Sequence, residues 1–158
     1  MLAGNVFSKK QNTNKTMKKE FAVQKSITNI NWSSVKNVIE KAGLASKTID
    51  LTQKAFQNSY AKVFIFDNSL MVGVGRAISD GVSESALYDI AVLPEYQKRG
   101  IGKLIIEELH NQLTGTNIIL YSRPGVEDFY KLNNYSKMKT GMAMFIDKDS
   151  KREKGFIE

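Results

Sequence analysis

Residues 87–104, which read LYDIAVLPEYQKRGIGKL, constrain the fold more than any other stretch. A dense apolar run reaches Leu93 and stops at Pro94, which cannot continue a central strand. A turn of the form Gln97-x-x-Gly100-x-Gly102 follows and opens a helix. Ile101, Leu104, Ile105, Leu109 and Leu113 recur at three- and four-residue steps and give that helix one apolar face. Glycines in such a turn remove side chains, so main-chain N–H groups can approach a bound group closely. The unpaired amides of the helix's first turn and its dipole add positive potential. Lys98, Arg99 and Lys103 supply formal charge. This combination suits a pyrophosphate. No G-x-x-x-x-G-K-[ST] pattern occurs, so a nucleotide P-loop is excluded. A dinucleotide fold would place G-x-G-x-x-G near the first strand of a longer sheet. Gly73-x-Gly75 lies inside a strand and is not a rival cradle.

The remaining elements build around this unit. A first strand is expected over residues 20–28. A helix capped by Asn31 or Ser33 runs to about Ala42, with Val35, Val38, Ile39 and Ala42 as its stripe and Gly43 as its stop. A second helix spans 48–58, with Leu51, Ala55 and Phe56 facing inward. Val63–Phe66 and Leu70–Ser79 form a hairpin about the turn Asp67-Asn68-Ser69. Ala86–Leu93 reads as the most buried strand. Residues 117–121 form a strand, Pro124-Gly125 starts a short helix that runs to about Leu132, and 138–146 form a last strand. The fold class is α/β (α+β): a mixed sheet in which a central strand–helix–strand unit makes one parallel pair.

At 158 residues the chain is expected to be one domain. It has no cysteine, which excludes disulfides, thiolate metal sites and a cysteine nucleophile. No His/Asp/Glu cluster has metal-ligand spacing, so no metal is expected. The net charge is +7, and residues 1–19 contain Lys9, Lys10, Lys15, Lys18 and Lys19 with no acid. That segment reads as a flexible basic leader, the domain as 20–147 and residues 148–158 as a charged tail. Met17 is an alternative start. The leader lacks a signal peptide's apolar region and the pattern of a transit peptide, and no apolar run approaches the ~20 residues that span a bilayer. A cytoplasmic protein is expected, and nucleic acid is disfavoured because only the unpatterned leader is strongly basic.

The Q-x-x-G-x-G turn after I-A-V-L-P-E-Y resembles the acetyl-CoA-binding motif of GNAT N-acetyltransferases. Residues 72–81 (VGVGRAISDG), Asp128-Phe129-Tyr130-Lys131 and Thr140-Gly141-Met142 also look like that superfamily. The set is similar to small bacterial members and to plant plastid members that acetylate aralkylamines or lysines. The resemblance implies a mostly antiparallel sheet, flanked by helices, whose fourth and fifth strands splay to admit pantetheine. It implies that Ile90, Ala91 and Val92 pair with the pantetheine through their backbone. Gln97, Lys98, Arg99, Gly100, Ile101, Gly102 and Lys103 would hold the pyrophosphate. It makes Tyr130 the donor to the departing thiolate and Asp89 the first candidate for holding the amine or relaying its proton, with Glu84 second. The implied reaction is acetyl transfer from acetyl-CoA to a primary amine, either a small aralkylamine or polyamine-like amine or a protein lysine, within a ternary complex. Acids at Asp80, Glu84, Asp89, Glu127 and Asp128 would attract a cationic amine. The alternative is a non-catalytic acyl-CoA sensor. A homodimer is compatible with the resemblance.

One departure stands out. The plastid relatives carry an Asp-Asn pair where this chain has Arg123-Pro124, and Arg123 would contact the coenzyme or an acidic substrate. Ordinary structural roles compete at other positions. Asp89 would pair with Arg76. His110 reads as a surface residue. Met142 and Met144 read as core packing of the last strand.

Overall fold

The computed structural model describes residues 20–158 except Ser46. The leader read at 1–19 and the alternative start at Met17 lie outside the described residues.

The helical pair before the sheet follows from its caps. Asn31 accepts a hydrogen bond from the Ser34 amide at 3.2 Å and starts α1 (Trp32–Lys41). Gly43 ends it with φ +77°: its amide reaches the Glu40 carbonyl, and the Leu44 amide reaches that of Ile39. Thr48 caps α2 (Ile49–Gln57) through the Leu51 amide. Thr52 and Phe56 face inward along α2, and Leu51 is exposed. The apolar pattern over 48–58 placed Leu51 inside; the observed face is the i, i+4 pair one residue on, where Phe56 stacks on Phe64 at 5.4 Å.

Five strands follow one another in space: β1 (Ala22–Gln24), β2 (Ala61–Asp67), β3 (Leu70–Ser79), β4 (Glu84–Val92) and β5 (Asn117–Ile119). All pairs are antiparallel except β4 with β5. Between the parallel strands lies α3 (Ile101–Gln112). The chain closes with α4 (Glu127–Leu132) and α5 (Lys148–Glu153). The mixed sheet with one parallel pair matches the expected fold class.

Helices cover both faces. A Cβ built on Gly73 would come 2.9 Å from Ile101 and one on Gly75 2.5 Å from Ile105, so α3 lies directly on that face. Arg76 points the other way, toward Phe56 of α2. The two strand glycines therefore serve close packing. Ile101, Ile105, Ile106 and Leu109 are buried beneath α3.

Two further expectations fail. β3, not β4, carries the longest buried run, because it is paired on both edges while β4 loses its β5 partner halfway. Residues 138–146 form no strand. Met142 and Met144 are almost fully exposed and Ile146 is fully so. Alternation supplies an apolar face, but a strand also needs an edge that satisfies its backbone. The chain proceeds instead into α5, where Asp147 caps the Ser150 amide.

Candidate active site

The parallel pair holds for only three rungs, Glu84 to Ala86 against Asn117 to Ile119. Beyond them β4 runs on from Leu87 to Val92 without a partner on that side. A cavity of about 1320 Å³ fills the resulting gap and extends to the start of α3. The splay has a local cause within β4. Asp89 and Ile90 together face the single Gly75 of β3, a bulge with Asp89 at φ +53°. Such a bulge bends its strand and re-aims side chains.

At the far end of the cavity, Gly100 caps α3 with φ +84°, and no side chain caps the first turn. Lys98 also takes a positive φ, +60°. A Cβ on Gly100 would meet nothing within 4 Å, so the turn faces open space. The first amides of α3 are thus left to a ligand. Gly102 faces α4, where Phe129 would lie 3.1 Å from a Cβ.

Of the residues singled out in the sequence, the structure brings Asp89, Ile90, Val92, Gln97, Lys98, Gly100, Gly102, Lys103 and Tyr130 to this cavity. Three others take different positions. Ala91 and Ile101 point into the core. The Arg99 guanidinium stacks 4.8 Å from the Tyr96 ring centroid. Only the backbones of Ala91 and Ile101 remain for a ligand. The Gln97 side-chain amide donates to the Val92 carbonyl at 3.2 Å, tying the turn to the open strand edge.

Tyr130 lies on α4, edge-on to Phe129 and to Tyr135. Burial pushes its phenol pKa up, and the nearby Arg123 charge partly offsets that. The phenol therefore keeps its proton across the neutral range. Asp89 is already engaged: its Oδ2 lies 2.6 Å from Arg76 Nε, with both side chains largely buried. Arg76 also stacks on Tyr88, its guanidinium carbon 5.2 Å from the ring centroid.

The other acids are spent elsewhere. Asp80 accepts the amides of Val82, Ser83 and Glu84, which hold its carboxyl well below the usual range. Glu84 bonds Asn117 on the paired half of β4. Asp128 pairs with Lys131. Asp89 is the only acid among the described residues lining the cavity, so the expected acidic attraction for a cationic amine is not built. His110 is half-buried, not a surface residue. Its Nε2 lies 2.7 Å from the Tyr135 hydroxyl, and the imidazole joins α3 to the segment after α4.

Sequence reading missed a second wall. Tyr121 lies edge-on to Tyr88, and Lys151 of α5 sits over Tyr121, Phe145 and Phe156, 4.4 Å from the Phe156 centroid. Tyr121, Lys151, Lys154 and Phe156 all line the cavity. The cue was the apolar pair Phe156-Ile157 standing in a mostly charged tail. Among the described residues no group of His, Asp or Glu is placed to hold a metal ion.

Comparison with known proteins agrees with this geometry. Residues 59–137 match the acetyltransferase (GNAT) domain model. The chain is 28% identical to the uncharacterized N-acetyltransferase ycf52 of Pyropia yezoensis over 72% of its length and 70% of that protein's. It is 29% identical to the chloroplastic serotonin N-acetyltransferase 2 of Oryza sativa subsp. japonica, over 73% of this chain and 62% of that one. A GNAT-family acetyltransferase structure from Streptococcus pneumoniae superposes with a TM-score of 0.69 at 21% identity, covering 80% of this chain and 98% of that one.

Proposed function

Because the chain belongs to the GNAT acetyltransferase family, we propose that it transfers an acetyl group from acetyl-CoA to a primary amine while both are bound. The observation that carries this reading is the unpaired half of β4, which leads through one cavity to the uncapped start of α3. An open ladder of N–H and C=O groups accepts an extended amide chain as an added strand would. The uncapped turn, with Lys98 and Lys103, neutralises a diphosphate.

Bound acetyl-CoA supplies an acyl group activated as a thioester. The residues of the chain do the rest. The backbone of β4 and the α3 turn fix the donor, which converts attack by the amine into an intramolecular event. As the N–C bond forms and the C–S bond breaks, the Tyr130 phenol gives its proton to the sulfur. The acceptor attacks as the neutral amine, its ammonium proton having passed to solvent beforehand, and the second proton, lost from nitrogen as the amide forms, returns to the phenolate through solvent. Asp89 is ion-paired with Arg76 through Oδ2, and its part is to hold the amine through the carboxylate oxygen that Arg76 leaves open.

A thiol-release assay with acetyl-CoA and a panel of primary amines tests the reading. Turnover with at least one amine supports it. Tight coenzyme binding with no turnover on any amine would make the protein an acyl-CoA sensor instead.

A further inference from the structure

Building on the acetyl-transfer reading, we infer that the acceptor amine carries an anionic group, a carboxylate or a phosphate, and that Arg123 reads it. Among the described residues lining the cavity Asp89 is the single acid and is paired with Arg76; with Lys98 and Lys103 given to the diphosphate, Arg123, Lys151 and Lys154 still supply positive charge to the rest of the cavity. A purely cationic amine would enter against this field, whereas a zwitterion would be drawn in by its anionic end.

Arg123 is the group placed to receive that end. It lies on the loop between β5 and α4, and its Nη1 donates to the Gly43 carbonyl at 3.2 Å. The fit against α1 is tight, since a Cβ on Gly43 would fall 2.7 Å from Nη1. This tether fixes the guanidinium while Nη2 and Nε remain available for a planar, two-point contact. Among the described residues, Arg123 has no carboxylate partner.

Its position also separates it from the diphosphate cradle. The cradle opens α3 on one face of the sheet, and Gly43 ends α1 on the other. Tyr130 lies close enough to Arg123 to feel its charge. An acceptor held by Arg123 at its acid end and by Asp89 at its amine end therefore lies beside the phenol. Lys151 and Lys154 add positive field on the same cavity's α5 wall.

The test uses matched acceptors and the full chain. Amino acids are compared with their amides, and phosphoethanolamine with ethanolamine. The anionic member of at least one pair is expected to show the higher kcat/KM by about tenfold or more, and the pair that does so identifies carboxylate or phosphate. Arg123→Gln keeps a donor for Gly43 but loses the charge. It should shrink that ratio about ten- to a hundredfold, with the loss in the acceptor's KM and not in that of acetyl-CoA. Arg123→Lys should restore part of it. Equal or better turnover of amides and diamines overturns the inference and leaves acetyl transfer intact. A matching rise in the acetyl-CoA KM for Arg123→Gln would assign the arginine to the coenzyme and also overturn it. No turnover with any amine removes both readings.

Discussion

A half-buried phenol that keeps its proton and faces a cavity is suited to a reaction that needs a proton delivered. Tyr130 meets that description: burial raises its pKa, and it opens onto the cavity. Its hydroxyl makes none of the hydrogen bonds found among the described residues, so removing it leaves no orphaned partner. Tyr130→Phe is therefore expected to keep the fold and coenzyme affinity while lowering kcat by about a hundredfold. Steady-state kinetics beside a coenzyme titration checks this, and a fall in affinity equal to the fall in kcat would recast Tyr130 as a binding wall. The raised pKa sets a second mark. Any alkaline decline in kcat caused by loss of this proton lies above the ordinary tyrosine value of about 10.

Two contacts of α3 leave distinct signatures when they are changed. Gly75 lets α3 lie on β3, and its Cβ would fall 2.5 Å from Ile105 and 3.0 Å from Ile90. Gly75→Ala must push α3 away or twist the β4 bulge, costing about 1–3 kcal/mol by chemical denaturation. Because the bulge shapes the cavity, coenzyme affinity should fall with it. His110 fastens α3 to Tyr135, a phenol that burial and the neighbouring Tyr130 push up to about 12. Burial lowers the His110 pKa in the folded chain, against a weaker opposing pull from Glu107. Its contribution is thus complete above the unfolded value of about 6.5 and is lost as pH falls below that toward the folded value. A melting-temperature profile from pH 7.5 to 5 should drop less steeply in His110→Gln than in the parent chain. The α3 stripe was legible because a 3.6-residue period demands one buried face. The false strand at 138–146 came from the same kind of evidence. A two-residue period names a face, but residues 138–146 pair with no strand, and β5 itself runs for only three residues, Asn117–Ile119. Periodicity is local, and pairing is not.

At the scale of the whole molecule, sequence and structure divide the site between them. The Gly100–Lys103 turn was readable because its chemistry is contiguous: glycine, basic residue and helix start lie within a few positions. The cavity's second wall was legible only at Arg123, through its departure from the plastid pattern. Its contact with Gly43 spans 80 residues, and Tyr88, Tyr121 and Lys151 converge from β4, the segment after β5, and α5. Nothing along the chain marks those meetings. Ligand linkage tests whether this assembly acts as one site. A ligand that binds only the folded chain, present at a hundredfold excess over Kd, stabilises it by about 2.7 kcal/mol. For a domain of this size that raises Tm by roughly 5–10 °C. Coenzyme A should produce such a shift in low salt, and raising ionic strength should reduce it, because the cavity's charge is mostly lysine at an open surface. Gly100 supplies the control. Its Cβ would point into open space, so Gly100→Ala pays only for its φ of +84°, on the order of 1 kcal/mol. Gly100→Asp pays the same and also sets a carboxylate where the diphosphate would lie. Both variants should start from similar melting temperatures without ligand. Alanine should retain most of the coenzyme-induced shift and aspartate should abolish it. An equal shift in both would mean that the diphosphate lies away from the start of α3, and the acceptor geometry built around that placement would fall with it.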